Sequence, residues 1–224
     1  MQLEAYLEDD DRIVLPLGST EQHAYLSLAT DSILAERLSV DAAEPLGVPV
    51  LPALPYGLTP GFAAFPGSPS LRLATYATLL QELLESLYEQ GFRRFLLVNG
   101  HGGNMPAALA VREWTADTPD AQARFHNWFI GTAVSAVVQE IDHEATHASW
   151  FENFPWTRLE GVELPAERKP LAEPGLENPG GVRELLGDGS YGGLYRRSDE
   201  EMMRVWEAGV AEVRGLLESG WRDD

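Results

Sequence analysis

Two short apolar runs, each stopped by glycine, constrain this chain more than any other feature. "RIVLPLG" (residues 12–18) and "FLLVNG" (residues 95–100) are apolar on consecutive positions rather than on every second one. A strand with one wet face alternates, whereas a strand covered on both faces does not. Around them lie segments with helical spacing. "DSILAERLSVDAAEPLG" sets Ile33, Leu34, Leu38 and Ala42 on one stripe, and Thr30 or Asp31 can cap it. "LRLATYATLLQELLESLYEQG" is an amphipathic helix closed by Gly91. "GGNMPAALAVREWTAD" is the next helix, and "SDEEMMRVWEAGVAEVRGLLESG" is a last one opened by a Ser198–Glu201 capping box. "GVPVLPALPYG" (residues 47–57) reads as a strand frayed by its prolines, and "ARFHNWFIG" as a further strand, while residues 139–195 are irregular. This alternation predicts an α/β fold with a mostly parallel sheet covered on both faces. In such folds ligands bind beyond the carboxyl ends of the strands.

The length, 224 residues, suits one domain over residues 1–224. The net charge of -19 sets the chain against nucleic acid and anionic membrane surfaces as partners. No apolar run approaches the roughly 20 residues that span a bilayer. The acidic start, "MQLEAYLEDDDR", has no signal-peptide pattern. Cysteine is absent, which removes disulfides, thiolate ligands and a cysteine nucleophile, and fits a cytoplasmic location.

Chemistry concentrates in the segments that leave the two apolar runs. "GSTEQHAYLSLATD" (residues 18–31) follows the first and holds Glu21, His23 and Asp31. Glu21 and His23 are two apart, so on an extended segment they point the same way. "NGHGGN" (residues 99–104) follows the second and holds His101 among glycines, with Asn99 and Asn104 able to fix the loop. Carboxylates and imidazoles are ligands that suit Zn, Mn or Fe(II). A second arrangement competes: "HEATH" (residues 143–147) fits the His-Glu-x-x-His pattern of a zinc metallopeptidase. There His143 and His147 would be ligands and Glu144 the base, provided the segment is helical. A third alternative is a metal-binding protein without turnover.

"LPLGSTEQHAYLSLATD", "YGLTPGFAAFPGSPSL", "GFRRFLLVNGHGGN" and "HASWFEN" together resemble the motifs of the creatininase (creatinine amidohydrolase) family, over roughly residues 12–155. The resemblance implies a three-layer α/β/α sandwich and a divalent metal centre, with Zn first and Mn or Fe as alternatives, holding one or two ions. It implies hydrolysis of a C–N bond in a small cyclic or linear amide, and assembly into a homo-oligomer. By position, Glu21 and His101 would hold one ion, His23 the second, and Asp31 would bridge them. His147 would shuttle a proton to the leaving nitrogen, a role that suits a side chain titrating near neutrality. Creatininase itself carries a glutamate two residues after the Asn-Gly-His histidine; here that position is Gly103. Glu152 is then the expected further ligand of the second ion. Other departures, "AYLS" at residues 24–27, Phe62, Ser149 and Asn153, line the expected pocket and leave the substrate open.

Overall fold

A computed structural model describes residues 2–175 and 177–221. After a short helix α1 (Gln2–Tyr6), strand β1 (Arg12–Leu17) leads through a long loop into α2 (Thr30–Ala43). Helix α3 (Leu73–Glu89), strand β2 (Arg94–Asn99), helix α4 (Ala108–Asp117) and strand β3 (Gln122–Asn127) follow. The remaining helices are α5 (Thr132–Ile141), α6 (Pro179–Leu186) and α7 (Asp199–Ser219). The three strands form one parallel sheet in the order β1-β2-β3, with Arg12 opposite Arg94 and Arg94 opposite Gln122.

The unbroken apolar runs are explained by what covers the sheet. Val14, Leu96 and Val98 point to a face packed by α2, α5 and α7. The residues between them, Ile13, Leu15, Leu17, Phe95 and Leu97, point to the opposite face, packed by α3 and α4. Alternation sends successive side chains to opposite sides, so both sets must be apolar when both sides are dry. The result is the α/β/α sandwich with a parallel centre. The first face also gathers the large aromatics: Trp128 stacks on Phe151 at 5.3 Å, and Trp206 meets Phe154 edge-on at 5.2 Å.

Several elements differ from the expectation. Residues 47–57 lie along β1 in parallel but form isolated bridges at Val50 and Leu54 rather than a ladder. Val14 N donates to the Pro49 carbonyl at 3.0 Å and Gly18 N to that of Leu54 at 2.9 Å. The ladder breaks between them, where Pro16 has no N–H to contribute and Ala53 N donates to the Glu36 carboxylate instead. The helix expected from Gly102 begins as a 3-10 segment (Gly102–Ala107) and becomes α-helical only after Pro106. Helix α5 went unrecognised within the sequence. The capping box of α7 is present, with Glu201 N donating to Ser198 Oγ at 3.2 Å and Ser198 N to Glu201 Oε2 at 3.1 Å. By contrast, neither Thr30 nor Asp31 caps α2: its N-cap is Ala29, with no side-chain cap bond. Asp31 is turned inward instead. No helix among the described residues is long and apolar enough to cross a membrane.

The loop after α5 is held by Asp142, whose Oδ1 accepts from Glu144 N at 3.1 Å. Its Oδ2 receives Arg168 Nη2 at 2.6 Å and Arg197 Nη2 at 3.1 Å. Burial works against the charged carboxylate, but the Arg168 bond and the other donors hold its pKa below the usual 3.8. A depressed folded value stabilises above the unfolded pKa and is lost as pH falls through the folded one. Asp142→Asn is therefore less stable than the native chain at pH 7, and the difference shrinks as both are taken below pH 3.8. Urea unfolding of the two at pH 7 and in acid measures this; a penalty independent of pH contradicts it.

Candidate metal centre

The loops leaving β1 and β2 meet because those strands are neighbours in the sheet. Gly100 allows the meeting. A Cβ there would strike the Asp31 carbonyl and the Ala35 methyl, so a larger residue would push the start of α2 away from the strand ends. With glycine in place, the first turn of α2 drops between them and carries Asp31 into the interior.

Four of the expected residues are buried together: Glu21 is 1% exposed, His23 0%, Asp31 2% and His101 6%. His23 Nε2 lies 3.0 Å from Asp31 Oδ1, and His101 Nδ1 lies 3.0 Å from Asp31 Oδ2. Each oxygen of one carboxylate thus faces a different imidazole. His101 Nδ1 is also 3.1 Å from Glu21 Oε1. Glu152 enters from the far loop, with Oε2 3.7 Å from His23 Nε2, and His147 Nδ1 lies 3.6 Å from Glu21 Oε1. All six residues named from the sequence converge. Their ligand atoms form three overlapping groups, each within 4.8 Å: Glu21, Asp31 and His101; His23, Asp31 and Glu152; and Glu21, His23 and His147.

The outward nitrogen of each imidazole meets a backbone carbonyl. His23 Nδ1 is 3.0 Å from the Glu21 carbonyl, His101 Nε2 is 3.0 Å from that of Leu58, and His147 Nε2 is 2.9 Å from that of Gln22. A carbonyl only accepts, so the outer nitrogen carries the hydrogen, and in the neutral ring the inner one presents a lone pair. Neutral rings would set lone pairs against carboxylate oxygens, an arrangement that is relieved by a second ring proton or by a cation between them. His23 Nε2 and Asp31 Oδ2 are buried without a hydrogen-bond partner among the described residues, despite being close to charged neighbours. Ligating histidines held from behind by carbonyls are the usual support of a metal site. The donors, nitrogen and oxygen without sulfur, fit Zn, Mn or Fe(II).

The electrostatics point the same way. Burial opposes a charge on His23, yet Asp31 and then Glu152 outweigh it and lift its pKa to about 10. His101 is also buried, and Glu21 and Asp31 push it well above the ordinary value. Despite burial, the carboxyl groups of Glu21 and Asp31 are held below their usual range by the imidazoles. Burial raises Glu152, and its neighbours His23 and His147 do not fully offset that. A cluster with three carboxylates demands positive charge, as protons on the rings or as a divalent ion.

Beside the cluster opens a cavity of about 400 Å³, walled by Phe62, Phe129, Phe151 and Tyr191 with His147 and Glu152. Trp150 and Phe65, though near His147 and Phe62 in sequence, are not part of this wall. Trp150 sits in the core over the sheet, and Phe65 sits in a small cluster with Val182 and Leu186. Tyr191 went unnoticed in the sequence; its ring lies 5.1 Å from that of His147 and parallel to Phe62. Thr59 was also missed. It is buried, and its hydroxyl donates to Glu21 Oε2.

The metallopeptidase arrangement fails on geometry. Helix α5 ends at Ile141, so residues 143–147 lie in a loop. His143 is exposed and belongs to none of the ligand groups found among the described residues, and Glu144 is paired with Arg168. His126 stands apart, 3.9 Å from Glu212.

Gly103 has a steric reason. A Cβ there would fall on the Leu58 carbonyl oxygen and on His101 Nε2, the two atoms of one hydrogen bond. That carbonyl fills the space a side chain at residue 103 would need. Gly103→Ala therefore destabilises the chain by about 1–3 kcal/mol, the usual cost of overpacking, and disturbs His101. Thermal unfolding checks the first effect; an unchanged midpoint contradicts it.

A family model described as creatininase, creatinine amidohydrolase, matches residues 1–217. Among curated proteins, the chain is 36% identical over 106 residues to the mycofactocin precursor peptide peptidase of Mycolicibacterium smegmatis, covering 44% of this chain and 42% of that protein. It is 35% identical over 98 residues to the creatinine amidohydrolase of Pseudomonas putida, covering 41% of this chain and 38% of that protein. The matched stretches thus span about two fifths of these relatives' lengths. A crystal structure of creatininase shares the fold with a TM-score of 0.81 at 24% identity, over 100% of this chain and 95% of that one. A Zn–Zn form of a creatininase mutant does so at 0.78 and 21% identity, over 100% and 97%. With the model match running through nearly all of its length, the chain belongs to the creatininase family.

Proposed function

We propose that this protein is a metal-dependent amidohydrolase that cleaves the C–N bond of a small amide. The observation that carries the reading is the convergence of buried nitrogen and oxygen atoms of ligand type in one small space. His23 Nε2 and Asp31 Oδ2 are buried and have no hydrogen-bond partner among the described residues, with Glu21, His101 and Glu152 around them. In this reading Glu21, His101 and Asp31 would hold one ion, and His23, Asp31 and Glu152 the other. Glu152 takes the part that Gly103 cannot. The peptidase and the amidohydrolase among the relatives are both named for breaking amide-type bonds. That shared bond class is what we carry over, not either substrate.

Bound divalent ions supply an ionised water near neutral pH and a Lewis acid for the carbonyl. The chain's own residues do the rest. Phe62, Phe129, Phe151 and Tyr191 exclude water from one side of the cavity and receive the apolar part of the substrate. His147 presents Nδ1 inward, because its Nε2 is held by the Gln22 carbonyl. Its ring is fixed 4.8 Å from that of Phe62 and 4.5 Å from that of His23. From there Nδ1 would take the proton that the attacking water gives up and pass it to the departing nitrogen. Tyr191 has its pKa pushed up to about 12, by burial first and then by Glu21. It stays protonated at neutral pH, a hydrogen-bond donor at the cavity wall. Glu152 is kept in place by Ala148 N, which donates to its Oε2 at 2.6 Å.

Two measurements test the reading. Metal analysis of the purified protein, reconstituted with Zn²⁺ or Mn²⁺, is expected to find up to two ions per chain, and Asp31→Asn to lose them. A native chain that retains no ion after reconstitution ends the proposal. Release of amine or ammonia from creatinine and a panel of small amides gives the turnover. His147→Gln is expected to keep its metal and to lose on the order of 10²–10⁴ in kcat, the usual contribution of a positioned acid. Full metal with no turnover on any amide would favour the non-catalytic alternative.

A further inference from the structure

Thr59 sits in none of the ligand groups, yet it is buried and touches the site. Its hydroxyl donates to Glu21 Oε2. That leaves Glu21 Oε1 as the oxygen facing His101 Nδ1 at 3.1 Å and His147 Nδ1 at 3.6 Å. A carboxylate on two single bonds can rotate; a hydrogen bond to one oxygen selects the rotamer that aims the other. Such bonds to an ionised oxygen are roughly twice as strong as neutral ones.

The residue before it acts on the partner imidazole. The Leu58 carbonyl receives His101 Nε2 at 3.0 Å, and Leu58 N donates to Asn104 Oδ1 at 3.0 Å. Asn104 Nδ2 in turn reaches the Gly18 carbonyl at 3.0 Å and Asn99 Oδ1 at 3.1 Å, tying the segment to the ends of β1 and β2. Thr59 N donates to Ser70 Oγ at 3.0 Å, so its backbone is held as well. Two consecutive residues thus orient one nitrogen and one oxygen of the same ligand group, through a carbonyl and a hydroxyl respectively.

We propose that Thr59 is a positioning residue that sets the metal affinity of the Glu21–Asp31–His101 site by fixing the Glu21 carboxylate. This inference rests on the reading of Glu21 as a ligand. Valine has nearly the shape of threonine but cannot donate, so it leaves a buried carboxylate oxygen without its bond. Serine keeps the donor. Loss of an outer partner of a ligand costs on the order of 10–100-fold in metal affinity.

The experiment is a titration of metal-free protein with Zn²⁺ against a chromophoric chelator, for native, Thr59→Val and Thr59→Ser chains. The thermal midpoint of each metal-free protein is measured alongside. Thr59→Val is expected to bind the ion on the order of 10–100-fold more weakly, and Thr59→Ser to recover most of the loss. A merely structural threonine would lower the midpoint and leave the affinity alone; that result overturns the inference. If Thr59→Val does not fold, Thr59→Ala replaces it, and native affinity in that variant also overturns it. A native chain that binds no Zn²⁺ removes the reading of the metal centre and this inference together. Native binding with an unaffected Thr59→Val removes the inference alone.

Discussion

The site depends on three backbone carbonyls that hold three imidazoles from behind. Those of Glu21, Leu58 and Gln22 accept from the outer nitrogens of His23, His101 and His147. Once the outer hydrogens are committed, the inner nitrogens face the carboxylates, and that closeness demands positive charge, as a second proton on the rings or as a cation. The polar cluster is therefore tolerated in the interior only as a charge-balanced unit. Around it the chain spends much of its irregular backbone: the loop after β1, the proline-rich segment at residues 47–70 and the stretch after α5 each contribute a carbonyl, a side chain of the cluster or both.

The sandwich supplies the rigidity this needs. Because β1 and β2 are adjacent and covered on both faces, their carboxyl ends are fixed relative to one another. Glycine at residue 100 then lets α2 begin between them. An aspartate in the first turn of a helix ordinarily serves the exposed N–H groups. Here it is drawn inward, and the end of α2 goes without a side-chain cap. A usual local stabilisation is forgone for a bridging position between two imidazoles.

The replacement at residue 103 shows how backbone can exclude a side chain. The Leu58 carbonyl that orients His101 occupies the space above Gly103. An acid on that residue and this carbonyl cannot both be present in this arrangement. Glu152, delivered by a distant loop and steadied by Ala148 N, stands on the other side of His23. The cavity wall is similarly assembled from distant pieces, with Phe62, Phe129, Phe151 and Tyr191 drawn from four separate segments.

The sequence by itself determined the layered parallel sheet, the main helices, and the identity of Glu21, His23, Asp31, His101, His147 and Glu152 as residues to watch. The sheet, the helices and Glu21, His23, Asp31 and His101 were legible because they depend on local rules, namely unbroken apolar runs, helical spacing and ligand-type side chains at strand ends, whereas His147 and Glu152 were picked out only by the motif resemblance. Helix α5 escaped notice, and the proline-rich strand was overcounted, because its pairing depends on which N–H groups reach β1. What only the tertiary structure decided was the use of each group. Asp31 turned from a helix cap into the centre of the cluster, and the His143–His147 pattern dissolved once α5 ended at Ile141. Thr59 and Tyr191 acquired their places through contacts with residues 38 and 44 positions away. Local spacing cannot report such contacts, since they exist only after the sheet has brought its loops together.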